Sequence, residues 1–172
     1  MTSTTHVAVS CLITVSTIQS GIDSVQKLIA VTAGSLCAHL ILDIAPHGFI
    51  ATPSTIFKKV LPTITELLPG LLILSTAIGL FDNAFLFLVA SFFGILPDMI
   101  TMMFYKRREL ILRIPPILFI HKIHRKVHWF ETEHADGTVS YIFPNRPLLA
   151  FEAIFILFIL VILFKQNTTN LF

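Results

Sequence analysis

Between residues 83 and 105 the chain carries a single charge, Asp98. At about 1.5 Å per residue, a helix of that length reaches across a hydrocarbon layer of about 30 Å. The composition agrees: 55% of the residues are hydrophobic, 13% are charged and the mean hydropathy is +0.84. A soluble globular domain or a disordered chain needs far more polar surface, and a disulfide scaffold needs more than two cysteines. The expected fold is therefore all-α, a multi-pass membrane helix bundle forming one domain over residues 1–172.

About five spans are predicted, at 5–18, 27–45, 61–80, 83–105 and 147–164. The first is short and rich in Thr and Ser, so it is expected to cross only as part of a bundle. The third contains Glu66 and the helix-loosening pair Pro69-Gly70, and Asp82-Asn83 joins it tightly to the fourth, with Asp82 as a natural N-cap. The last has Pro147 in its first turn and Glu152 inside it. Residues 110–146 differ. Their first part is apolar, and from His121 they turn basic and amphipathic, the pattern of a helix lying at an interface. Around Asp136-Gly137 the pattern fits either a small hairpin or a loop. Cys11 and Cys37 lie in apolar stretches without paired spacing and read as small buried hydrophobes. The amino terminus lacks the basic flank and cleavage site of a secretory signal, so the whole chain is retained in this reading.

The twelve Lys and Arg are unevenly spread over such a topology. Lys58, Lys59, Lys106, Arg107, Arg108, Arg113, Lys122, Arg125, Lys126 and Arg146 fall on one side, and only Lys27 and Lys165 on the other. The basic side is expected to be cytoplasmic, with the amino terminus inside. A formal net charge of +2 leaves no footprint for nucleic acid. The expected partners are membrane lipids.

On that topology the ionisable residues inside the spans share one depth. His6, His39, Asp43, His47, Glu66, Asp98 and Glu152 all fall in the cytoplasmic half. Each is costly in a membrane unless paired, hydrated or bound to metal, so a common site is the economical explanation. His39, Asp43 and His47 recur every four residues and form one helical stripe, and imidazole with carboxylate is a ligand set for a divalent first-row metal. His121, His124 and His128 form a second stripe, and Asp98 is placed to close a site between the two. A metal held there activates water for hydrolysis of an ester or phosphoester, with Glu152 or Glu66 as proton acceptor. Each residue also has a structural reading. A lone His or Asp can bond across helices, Glu66 and Glu152 can snorkel to headgroup water, and His121 with its basic neighbours can rest on lipid headgroups.

The segments Thr5-His6, Gly34-Ser-Leu-Cys-Ala-His39-Leu-Ile-Leu-Asp43-Ile-Ala-Pro-His47-Gly48, Gly94-Ile-Leu-Pro97-Asp98 and His124-Arg-Lys-Val-His128 together resemble the membrane-bound metal-dependent hydrolases, a family that includes the inner-membrane hydrolase under SOS control. The likeness covers roughly residues 5–130. It implies a multi-pass protein of a bacterial or archaeal inner membrane with a divalent metal, zinc foremost, held by His6, His39, Asp43, Asp98 and the His124/His128 pair. Ala38 departs from the family's usual Ser, Met99-Ile100 follow Asp98 without a second acid, and the His124–His128 interval is one residue short. A lipid or phosphoester is the expected substrate, its headgroup drawn by the basic 106–126 region. The alternative is a non-enzymatic metal-binding or assembly subunit. A transporter is disfavoured, because five spans leave little for alternating access.

Overall fold

A computed structural model describes residues 2–45, 56–104, 114–128, 131–133, 139–141 and 145–169. Six helices and one hairpin lie within them: α1 (Ser3–Ile18), α2 (Ser24–Leu42), α3 (Ile56–Leu80), α4 (Ala84–Phe104), α5 (Pro115–Val127), β1 (Glu131–Glu133), β2 (Val139–Tyr141) and α6 (Asn145–Thr169). The strands pair antiparallel, with Thr132 opposite Ser140. Of the two readings left open around Asp136-Gly137, the structure has the hairpin.

Local chemistry sets the helix ends. The second helix begins at Ser24 rather than Lys27 because Asp23 and Gln26 form a capping box: Gln26 N donates to Asp23 Oδ1 at 2.9 Å, and Asp23 N to Gln26 Oε1 at 3.3 Å. It ends at Leu42, short of the expected residue 45, with Asp43 as its C-cap. Helix α4 begins at Ala84, so the residue before it is Asn83 and not Asp82. Asn83 takes φ 84°, a left-handed conformation that Asn tolerates, and its carbonyl accepts from Leu86 N at 2.9 Å. The Pro69-Gly70 pair leaves α3 continuous. Helix α5 opens with Pro115-Pro116, whose missing N–H groups would be unbonded in a first turn anyway.

The helix that composition made the weakest span is the centre of the molecule. Helix α1 packs against α2, α3, α4 and α6, and its buried residues Thr4, Thr5, His6, Val7, Ala8, Ser10, Cys11, Thr14, Val15 and Thr17 lie on all its sides. Small side chains let four neighbours approach, and the hydroxyls bond their own helix: Thr14 Oγ1 donates to Ser10 O and Thr17 Oγ1 to Ile13 O, both at 2.8 Å. Glycines on the facing helices complete the fit. A Cβ at Gly94 would collide with Ser10 Oγ, and one at Gly70 would touch Thr4 Cα at 3.4 Å. Val7, Cys11, Val15, Ile73, Ala77, Phe87, Ile159 and Leu163 form the main apolar core.

Large apolar side chains face outward instead. Val25, Ile29 and Ile41 on α2, Leu71 and Leu72 on α3, Phe85 on α4 and Ile154, Leu157 and Val161 on α6 are all more than half exposed. Two helical stretches, Ser24–Leu42 and Ala150–Asn167, are long and apolar enough to cross a membrane. Cys11 is buried as expected, whereas Cys37 is exposed on the outer face of α2. The cysteine pair therefore does not share one environment.

Candidate metal centre

The site is built outward from α2. His39 and Asp43 are one turn apart, and the C-cap position of Asp43 turns its carboxylate back along the helix end, so His39 Nε2 and Asp43 Oδ2 lie 2.9 Å apart. The other ring nitrogen, His39 Nδ1, lies 2.6 Å from the Gly94 carbonyl of α4. A carbonyl only accepts, so Nδ1 carries the proton and Nε2 presents a lone pair. Pro97 lies in the same turn of α4, where it removes one backbone donor from the ladder. Orienting an imidazole through a backbone carbonyl on its far nitrogen is the usual support of a metal-binding histidine.

Helices α4 and α5 bring the remaining groups. His124 Nε2 lies 3.1 Å from Asp43 Oδ2 and 3.2 Å from Asp98 Oδ1. Asp98 Oδ1 is also 3.8 Å from His39 Nε2. His128, the C-cap of α5, sets its Nε2 3.1 Å from both Asp43 Oδ2 and His124 Nε2. From α1, His6 places Nε2 3.2 Å from Asp43 Oδ1 and stacks on His39, with ring centroids 3.9 Å apart. His39, Asp43, Asp98 and His124 offer donor atoms all within 4.8 Å of one another.

These separations suit hydrogen-bonded pairs and also suit ligand atoms gathered around one ion. With metal–ligand bonds of about 2.0–2.2 Å, neighbouring ligand atoms lie about 3.3 Å apart around a tetrahedral ion and about 2.9 Å apart around an octahedral one. The chemistry agrees. Asp43 Oδ2 faces three imidazole Nε2 atoms, at 2.9, 3.1 and 3.1 Å, and His39 Nε2 is buried without a hydrogen-bond partner. Lone pairs brought that close are costly unless a proton or a metal ion lies among them. One divalent ion would serve every member of the set at once, and in that sense the residues fit a metal.

Burial divides the cluster. His6, His39 and Asp43 are fully enclosed, His124 nearly so, and the Asp98 side chain is 34% exposed and forms the open edge. Burial pulls the His124 pKa down, but hydrogen bonds to Asp43 and Asp98 outweigh it and hold the group above its ordinary value. The cavity of about 290 Å³ between α1, α3 and α4, lined by Val7, Gly70, Leu74, Leu88, Phe92 and Ile95 among others, touches none of the cluster residues.

Six residues singled out in the sequence, His6, His39, Asp43, Asp98, His124 and His128, thus meet at one place. His47 and the basic residues 106–113 lie outside the described residues, and the Glu66 side chain does as well. His121 is half-buried on α5, one turn before His124. Glu152, expected to accept a proton or to snorkel, is bonded to the start of α1 rather than to a described cluster residue. It is 3% exposed, and its Oε2 accepts from Thr2 N at 3.0 Å and from Thr5 Oγ1 at 3.3 Å. The start of α1 supplies free N–H groups and a favourable dipole for this carboxylate, which is why it is held there rather than drawn to the surface. The Gly94 carbonyl escaped the sequence reading, although the Gly94–Pro97–Asp98 spacing marks a helical turn with a disturbed ladder beside a carboxylate. Searches against protein-family models, curated proteins and solved structures found no match for this chain.

Proposed function

We propose that the protein is a membrane-embedded, metal-dependent hydrolase acting at the cytoplasmic surface on a lipid or other phosphoester. The observation that carries this reading is the contact of His39 Nε2 with Asp43 Oδ2 at 2.9 Å, two lone-pair atoms whose positions are set by the Gly94 carbonyl and the end of α2. His39, Asp43, Asp98 and His124 would hold the ion, with zinc the first choice for a mixed nitrogen and oxygen set. Bound there, a divalent ion supplies Lewis acidity and a nucleophile at neutral pH.

The chain's own groups do the rest. Asp98, at the open edge, is the carboxylate that meets an arriving substrate and accepts the proton of the attacking water. His39 and Asp43 are locked by burial and keep the donor set rigid, which favours electrostatic preorganisation. Lys122 and Lys126, exposed on the face of α5 away from His124, would favour an anionic headgroup along that helix. The membrane setting is supported by the outward-facing Ile, Leu, Phe and Val of α2, α3, α4 and α6 around a centre rich in Thr and Ser, the reverse of a water-soluble bundle. We read α1–α4 and α6 as five spans and α5 as the interfacial helix, in an inner membrane with the basic face inside.

The test is metal analysis of the purified protein beside His39→Ala and Asp43→Ala, together with hydrolysis of lipid and soluble phosphoesters. About one zinc or more per wild-type chain, lost in both variants, with ester turnover that requires Asp98, is the expected result. Substoichiometric metal in all three samples would sink the proposal. The near-complete enclosure of His6, His39 and Asp43 also favours a second reading, a structural metal site that fixes helix packing, since structural sites are closed. That reading is distinguished by metal content without any turnover.

A further inference from the structure

The cluster holds more donors than a four-coordinate ion uses. His39, Asp43, Asp98 and His124 already make a four-coordinate set. His6 remains over. It is 1% exposed, and neither of its ring nitrogens has a hydrogen-bond partner. A buried imidazole with both nitrogens unsatisfied needs a ligand to justify its place. Its Nε2 is aimed at Asp43 Oδ1, 3.2 Å away, while the other oxygen of the same carboxylate faces His39, His124 and His128. The two oxygens of Asp43 thus serve separate groups of imidazoles.

We propose that Asp43 bridges two divalent cations, one in the His39/Asp98/His124 set and a second held by His6 Nε2 and Asp43 Oδ1. A carboxylate shared in this way suits the separation of about 3.5–4 Å found in two-metal hydrolytic centres. The inference rests on the metal reading above but goes beyond it in stoichiometry and in the role of His6. With only two protein donors, the His6 ion binds more weakly than the first and fills after it.

The experiment is a titration of the metal-stripped full chain, in detergent, with Mn²⁺ alone, followed by equilibrium dialysis and electron paramagnetic resonance. Two ions per chain are expected. The first gives the six-line spectrum of an isolated ion, and the second replaces it with the broadened spectrum of an exchange-coupled pair, because the two share Asp43. In His6→Ala, binding stops at one ion and the six-line spectrum persists. Should that variant fail to fold, the wild-type titration decides alone. Saturation at one ion overturns the bridge and leaves the single-metal reading standing, whereas no bound ion overturns both. Two ions without coupling also overturn it, since the second would then sit away from Asp43.

Discussion

At the scale of single residues, Gly94 links packing to chemistry. Its missing side chain admits Ser10 of α1, and its carbonyl orients His39. Gly94→Ala is expected to lower stability by about 1–3 kcal/mol, the usual cost of forcing an extra methyl into a close-packed contact, and to weaken metal binding as α1 and α4 part. Thermal unfolding in detergent with and without metal measures both, and an unchanged midpoint would contradict the packing. His124 makes a second prediction. Its two carboxylate partners raise its pKa, so the metal-free site holds a proton there that an ion must displace. Metal affinity should therefore climb as pH rises from about 6 toward 8, by about tenfold per unit for each proton displaced, and level off once His124 is neutral. Equally tight binding at both ends of that range would rule this out. At this scale the sequence was informative where spacing carries meaning: His39 and Asp43 four apart, and His124 and His128 four apart. It was silent where the partner is a backbone atom, as with Gly94, or lies far along the chain, as with Glu152 and Thr2.

The element that most depends on the site is α5. It touches only α2 and α4 among the described elements, and its one fully buried residue is His124. Phe119 is 65% exposed, so apolar packing does little to hold the helix in place. On the metal reading, docking through imidazoles would make α5 the part of the fold that senses the ion. Chelation is expected to speed amide hydrogen exchange across 115–127 by roughly tenfold or more while leaving α1, enclosed by four helices, unchanged. Equal protection of α5 with and without metal would contradict this. The basic, amphipathic character of α5 was legible from composition, because the change after His121 is abrupt. The starts of α2 and α4 were less so, since the Asp23–Gln26 box and the left-handed Asn83 shift each boundary by a residue or more.

Across the whole molecule, scarcity of charge announced helices with apolar outer faces, but not that the helix at the centre would be rich in Thr and Ser. Helix α1 looked weak because Thr and Ser lower its hydropathy, yet those residues are what allow it to be surrounded. The five-span reading makes a topological prediction. In a chain with Cys11 and Cys37 replaced by Ser, a cysteine in place of Lys165 should react with a membrane-impermeant maleimide from outside intact cells. One in place of Lys122 should react only after permeabilisation, and the opposite pattern would invert the orientation. The donors of the centre come from α1, α2, α4 and α5, so the last of them, His128, is added only after about three quarters of the chain has been made. Until then the growing polypeptide carries an incomplete set of donors. On the proposed reading, maturation would wait for the arrival of one short helix, and loading of the ion would be a late step that marks a correctly folded chain.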